Sequence, residues 1–162
     1  MKSRIIEESI KSLRQEGLRF SVDTLAERLK VSKKTIYRHF PTKKALAQAM
    51  YERYYSDLKG RIKEITHQKE PERSDALLLC YFDSSRMAHK EIFNKYCLNN
   101  VIGNFALQHH QDIWNAIKPY ICGEMGDGDA QILKLILDGA FEKAISCNID
   151  PEIVIKMLRK MK

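Results

Sequence analysis

The segment from residue 33 to residue 44 concentrates side chains that bind anions: Lys33, Lys34, Arg38, His39, Lys43 and Lys44. Each lysine pair follows a hydroxylated residue of the kind that begins helices. A helix start carries partial positive charge, so a cation there costs roughly 0.3 kcal/mol or more. A phosphate bound to the free N–H groups of the helix start would make the same cations favourable. The pattern therefore indicates non-covalent binding of phosphate groups, although exposed lysines are often merely solvated.

Motifs for covalent or metal chemistry are absent from the sequence. An enzyme that uses Cys97, His109 or Asp138 is the alternative, but there is no glycine-rich phosphate loop, nucleophile elbow or paired-carboxylate spacing. The neighbouring histidines at 109 and 110 would point about 100° apart on a helix, which disfavours chelation of one ion. The four cysteines show no CxxC spacing, so we expect reduced thiols. We predict no catalytic residue, no metal and no cofactor.

The charge of the chain is strongly uneven. The 162 residues carry a formal charge of +7, with 44% hydrophobic and 30% charged residues, as in a globular protein. Residues 1–63 hold 16 Lys and Arg against 7 Asp and Glu, whereas residues 64–162 hold 12 against 14. A basic first third favours a polyanionic partner, with nucleic acid first and an anionic membrane second. No apolar run is long enough to span a bilayer and no signal peptide is evident, so we expect a cytoplasmic protein without a membrane partner.

Helical periodicity predicts an all-α fold. On the first helix the expected apolar stripe consists of Ile6, Ile10 and Leu13. Ser21, Ser32 and Thr42 are expected N-caps of the next three helices. The second and third helices, joined by a turn of about three residues, have the dimensions of a helix-turn-helix, whose second helix enters the DNA major groove. Ile36 and Phe40 would face the core beneath that helix.

Residues 5–46 resemble the N-terminal DNA-binding module of TetR-type transcriptional regulators. The resemblance is carried by "SVDTLAERLKVSKKTIYRHFPTKKAL", which has Leu-Ala inside a capped helix, Val-Ser before the recognition helix, and then Tyr-x-His-Phe followed by Lys and Leu. It implies a three-helix helix-turn-helix domain at 1–46 and an all-helical regulatory and dimerisation body at 47–162. It also implies a homodimeric regulator, usually a repressor, that binds a palindromic operator in double-stranded DNA.

The resemblance assigns ten residues to DNA contact. Those expected at phosphates or elsewhere on the DNA backbone are Tyr37, His39, Lys43, Ser21 and Thr24. Those expected to reach base edges from the exposed face of the third helix are Lys33, Lys34, Thr35 and Arg38. The tenth residue is Ser32, the cap of that helix. An arginine or lysine that reads guanine is the commonest such contact. For Thr24 and Thr35, a hydroxyl that bonds only within its own helix is an equally good interpretation.

Lys30 departs from the family pattern. It occupies the turn position where the family usually has glycine, which a left-handed backbone conformation favours. A lysine could adopt that conformation at a cost of about 1 kcal/mol, or the turn could differ in shape. A turn of different shape would change the spacing of the two helices slightly from that of the family.

The end of the chain is predicted to dimerise. Its last two helices are rich in apolar residues, more than one small body can cover. Residues expected at the dimer interface are Leu133, Ile136, Leu137, Phe141, Ile153 and Met157. The alternative is that they form an internal bundle core.

The middle helices offer an aromatic set that suits a small apolar or aromatic effector. Its members are Phe82, Met87, Phe93, Tyr96, Phe105, His109 and Trp114. An ordinary core is the alternative for each of them. In the implied mechanism, the effector binds the body, moves the fourth helix and releases the operator. The alternative function is a DNA-binding architectural or protein-regulated factor with no small-molecule effector.

Overall fold

The computed structural model describes residues 1–16, 21–89 and 100–160, with side chains excepted at 16, 100 and 101. Within these ranges the fold is all-α, as predicted, with no strand. The described helices are α1 (Lys2–Glu16), α2 (Val22–Leu29), α3 (Lys33–His39), α4 (Lys43–Ile65), α5 (Glu72–Met87), α6 (Asn100–Cys122), α7 (Asp127–Ser146) and α8 (Pro151–Lys160). No helix in this part of the chain is long and apolar enough to cross a membrane.

The described residues divide into two compact units. Residues 1–57 and 100–105 form the first, and residues 58–89 and 106–160 form the second. The helix α4 is continuous across residue 46, where the sequence places the end of the DNA-binding domain. That domain boundary therefore stays a prediction.

The core of the first unit holds α2 against α1 and α3 against α2. Its buried cluster consists of Ile5, Val22, Leu25, Ala26, Leu29, Ile36, Phe40 and Leu46. The predicted stripe on α1 is confirmed at Leu13, but Ile6 and Ile10 are only half-buried, and the buried positions of the first two turns are Ile5 and Ser9. Ser9 is accommodated there because its hydroxyl donates to the carbonyl of Ile5 at 2.6 Å.

The second unit is a bundle in which α5 packs on α7 and α8, and α7 packs on α8. Its largest fully buried side chains include Leu77, Tyr81, Ile113, Leu137 and Phe141. The helices α5 and α7 begin at Glu72 and Asp127 with polar first turns, so their apolar period starts about one turn later. The helix α8 begins at Pro151, a residue suited to the first helical position.

Candidate nucleic-acid interface

Two equivalent serine–threonine caps begin the helices of the helix-turn-helix. The N–H of Thr24 donates to Ser21 Oγ at 3.1 Å, and the two hydroxyls lie 2.9 Å apart. The N–H of Thr35 donates to Ser32 Oγ at 3.1 Å, with the hydroxyls 3.0 Å apart. Each threonine hydroxyl thus bonds within its own cap, the alternative considered for both. In each pair, one hydroxyl donates its proton to the other hydroxyl. The proton of that second hydroxyl can then be donated to an outside acceptor such as a phosphate oxygen.

The turn between α2 and α3 has the left-handed residue that the family pattern requires. Lys30 has φ 54° and ψ 44°, and its N–H donates to the carbonyl of Glu27 at 3.0 Å. The N–H of Val31 donates to the carbonyl of Ala26, also at 3.0 Å. Lysine therefore adopts the conformation that glycine usually supplies, at a cost of about 1 kcal/mol.

The exposed surface of the helix-turn-helix carries several cations, and Asp23 lies beside one of them. Lys34, Arg38 and Lys43 are exposed. Lys33 on α3 forms an ion pair with Asp23 on the first turn of α2, and both side chains are more than half exposed. The sequence analysis missed Asp23, since a ten-residue separation gives no local signal for the pair.

Tyr37 and His39 are half-buried, and Tyr37 packs against the buried cluster of the first unit. Ile36 and Phe40 are buried, which confirms that they belong to the core. The ammonium of Lys2 lies 5.5 Å from the centroid of the Phe40 ring. This contact adds a cation next to the end of α3 that the sequence analysis did not identify.

Arg28 fastens α2 to α1. Its guanidinium donates to Ser12 Oγ at 3.1 Å and to Gln15 Oε1 at 3.3 Å, and it lies 3.7 Å from Glu8 Oε1. Ser12 is fully buried, so this contact satisfies a polar group that would otherwise be costly. Polar as well as apolar contacts therefore hold α2 against α1, and they fix the turn that orients α3.

The described members of the aromatic set predicted for an effector do not line one common cavity. Phe82, Met87 and Trp114 are buried in the core, where Phe82 meets Phe141 edge to face with ring centroids 5.2 Å apart. Phe105 belongs to the first unit. His109 Nδ1 lies 3.2 Å from Lys59 Nζ. Phe93 and Tyr96 lie outside the described residues. The core interpretation therefore holds for the three buried members of the set.

A polar network joins α5, α6 and α7 inside the second unit. The hydroxyl of Tyr81 donates to Asp138 Oδ1 at 2.6 Å, and Lys134 Nζ donates to Asp138 Oδ2 at 2.6 Å. His110 Nδ1 lies 2.8 Å from Ser84 Oγ, and its Nε2 lies 3.7 Å from Asp138 Oδ1. Burial raises the pKa of Asp138, but the nearby His110 and the hydrogen bonds from Lys134 and Tyr81 outweigh it and hold the pKa at about 2. Burial also raises the pKa of Tyr81, and the bond to Asp138 adds to this.

This network brings together a serine, a histidine and an aspartate, the residue types of a catalytic triad, but they are not arranged for catalysis. Ser84 is fully buried, so a substrate cannot reach its hydroxyl. The ring of His110 is stacked on Tyr81 with centroids 4.5 Å apart, which fixes the imidazole as part of the core. We interpret the network as a structural junction of three helices.

A cavity of about 360 Å³ opens between α5, α6, α7 and α8 in the second unit. Apolar side chains of all four helices line it, and the polar side chains among its described lining residues are Ser74, Asp75 and Arg159. Arg159 forms an ion pair with Asp75 there. Of the residues predicted for the effector, those that the structure describes do not line this cavity, because the prediction followed aromatic residues and the described lining is mainly aliphatic.

The predicted dimer residues fall into three groups. Ile136, Ile153 and Met157 are at least half exposed. Leu133 is half-buried at the cavity. The prediction is wrong for Leu137 and Phe141, because these residues are 1% and 0% exposed and cannot reach a second copy.

Together these features define a class of protein, one with a capped helix-turn-helix and a separate helical body. Residues 5–50 match the family model for bacterial regulatory proteins of the tetR family. The uncharacterized HTH-type transcriptional regulator YvaF of Bacillus subtilis (strain 168) is 26% identical over 160 residues, which cover 97% of this chain and 76% of YvaF. A crystal structure of a TetR/AcrR-family transcriptional regulator from Aquifex aeolicus VF5 shares the fold, with a TM-score of 0.65, 21% identity and coverage of 98% of this chain and 95% of that one. These similarities support a DNA-binding, helix-turn-helix transcriptional regulator of the TetR family, with residues 5–50 as its family-matched DNA-binding module.

Proposed function

We propose that the protein is a repressor that binds a palindromic operator as a homodimer and is released by a small-molecule effector. The observation that carries the proposal is the face of α3, where exposed Lys34 and Arg38 stand on a helix that is capped at its start and packed on α2. Two such helices, one from each copy, would enter successive major grooves about one helical turn apart. Such a regulator acts where the chromosome lies, in the cytoplasm.

The roles of individual side chains follow from their placement. Lys34, Thr35 and Arg38 lie on the α3 face that would meet base edges, and Lys33 reaches the same groove when it leaves Asp23. The residues that would hold the DNA backbone are Ser21, Thr24, Ser32, Tyr37, His39 and Lys43. The paired cap hydroxyls support this role, since each pair has one proton for a phosphate oxygen.

The homodimer is supported by an exposed apolar face, here called the α7–α8 face, formed by Ile132, Leu135, Ile136, Ile153 and Met157. All five side chains are at least half exposed, and Leu135 is 73% exposed. Those on α7 recur at three- and four-residue spacing, so they form one stripe that a second copy can cover. A Cβ added at Gly139 would meet nothing within 4 Å, so the same stripe leaves room for close helix approach.

Replacement of Leu135 by Lys tests the dimer. A charge in the centre of an apolar interface should convert the protein to a monomer in sedimentation equilibrium and weaken operator binding at least tenfold. Leu107→Lys is the matched control, since Leu107 is also exposed but lies on α6. A Leu135→Lys protein that stays dimeric would show that the two copies meet elsewhere.

Direct measurement of DNA binding tests the function itself. We expect fluorescence anisotropy with duplex DNA to show binding that weakens steeply as salt is raised, because each phosphate contact releases a counterion. Arg38→Ala combined with Lys34→Ala should abolish preference for one sequence. Absence of binding at low salt would contradict the proposal.

The alternative, a factor with no small-molecule effector, is distinguished by the cavity of the second unit. A cavity of about 360 Å³ falls in the range of small-molecule sites and favours the effector. A ligand that binds it must raise the melting temperature of the free protein, since binding to the folded state stabilises that state. A library of small molecules with no stabilising member would favour the alternative.

A further inference from the structure

The cavity between α5, α6, α7 and α8 has a distinct chemical polarity. Its floor is formed by deeply buried aliphatic side chains such as Leu137 and Ile155. At one end, where the first turn of α5 meets the last turn of α8, stand Ser74, Asp75 and Arg159. A ligand that fits both parts is a molecule with an apolar chain and a single polar head.

The charge at the polar end favours an anionic head. The last turn of α8 carries Arg159 and Lys160 and no acidic residue. A guanidinium has five N–H donors, and its pair with Asp75 uses at most two or three of them. Asp75 lies in the first turn of α5, where the helix dipole stabilises its charge even without Arg159. Arg159 can therefore hold a second carboxylate, and both side chains of the pair are exposed enough to rearrange.

We propose that this cavity binds an amphipathic monocarboxylate, with its alkyl chain over Leu137 and Ile155 and its carboxylate on Arg159. The inference rests on the proposed function, because it names the chemical class of the effector. The site also reaches the α7–α8 face, since Ile136 lines the cavity and is half exposed on that face. A bound chain would therefore contact a residue of the proposed dimer surface, which couples ligand binding to the separation of the two recognition helices.

A chain-length series tests the apolar part of the site. Hexanoate, octanoate and decanoate would be titrated into the full chain by isothermal titration calorimetry. Each methylene that enters the cavity should tighten the dissociation constant about fourfold until the cavity is full. Decanol and decylamine, which have the same chain with a neutral or cationic head, should bind at least tenfold more weakly than decanoate. Equal or tighter binding of decanol or decylamine would overturn the proposal.

Two substitutions with opposite expected effects test the polar end. Arg159→Gln removes the cation and should weaken decanoate at least tenfold, while decanol changes less than twofold. Asp75→Asn removes the competing carboxylate and should tighten decanoate. Lys160→Gln is the matched control, because Lys160 is in the same turn but does not line the cavity, and it should change the affinity less than twofold. A cationic ligand class would give the reverse pattern, and unchanged affinity in Arg159→Gln would refute the assignment of the head group.

Operator binding measured on the same preparation separates the two proposals. A protein that binds operator as a dimer but fails to bind decanoate contradicts this inference alone. A protein that binds no DNA in the absence of carboxylate contradicts the proposed function, whatever the result with decanoate.

Discussion

Replacement of Asp23 by Asn should strengthen DNA binding, although it removes an ion pair from the folded protein. Asp23 holds Lys33, a residue of the recognition helix, and its carboxylate faces the same surface as the proposed phosphate contacts. Both side chains are more than half exposed, so the pair contributes only about 0 to 1 kcal/mol to folding. Loss of the acid from the first turn of α2 costs about 0.3 to 1 kcal/mol more. The fold should therefore survive the change.

The size of the effect on binding follows from counterion release. Without Asp23 the charge of Lys33 in the groove is uncompensated; if it displaces one more counterion from the DNA in each subunit, the slope of log affinity against log salt concentration steepens by about 0.9 per subunit, or about 1.8 for a dimer. Fluorescence anisotropy with one operator duplex between about 50 and 200 mM salt measures this slope. Asp57→Asn is the matched control, because Asp57 is also an exposed, paired acid but bonds Arg53 on α4. A slope that is unchanged in Asp23→Asn, or steepened equally in Asp57→Asn, would refute this account of Lys33.

Four further predictions concern single residues. Lys43→Ala should weaken binding to all duplexes alike and flatten the salt slope by roughly 1 per lost contact, and an unchanged slope in anisotropy would exclude a phosphate role. Arg38→Ala should relax sequence choice more than it lowers total affinity, so parallel losses on specific and random duplexes would show that it reads no base. Lys30→Gly should raise the free energy of unfolding by roughly 1 kcal/mol in urea titrations, because glycine adopts a positive φ without strain, whereas Lys34→Gly on α3 should lower it. Asp138 has its pKa held at about 2 in the folded protein, against about 3.9 in the unfolded chain, so its contribution to stability is present above pH 3.9 and is lost as the pH falls towards 2. The free energy of unfolding should therefore fall less between these pH values in Asp138→Asn than in the wild type.

The DNA-binding module was largely predictable from sequence because its signals are local. The caps at Ser21, Ser32 and Thr42 mark helix starts within three residues of the groups they bond, and all three are present. The left-handed turn at Lys30 was predictable from the family pattern, which supplies the backbone conformation that the residue itself does not indicate. The pair of Asp23 with Lys33 depends on how two helices cross, so no spacing rule reveals it.

The body was less predictable because its key pairings are distant along the chain. Apolar periodicity identified α7 and α8, but it did not separate the exposed Ile136 from the buried Leu137, which are adjacent. That choice depends on which side of α7 packs on α5. Likewise Asp75 and Arg159 are 84 residues apart, and the aliphatic cavity beside them lacks the aromatic signature that guided the prediction of an effector site.

Selection of bound fragments from a pool of random duplex DNA tests the central claim most directly. Two copies of the α3 face related by a two-fold axis should enrich a palindromic consensus, with half-sites centred about 10 base pairs apart. Arg38→Ala should blur that consensus within each half-site and leave the spacing intact. Enrichment of a single unrepeated site, or of no sequence at all, would contradict a dimeric operator-binding regulator.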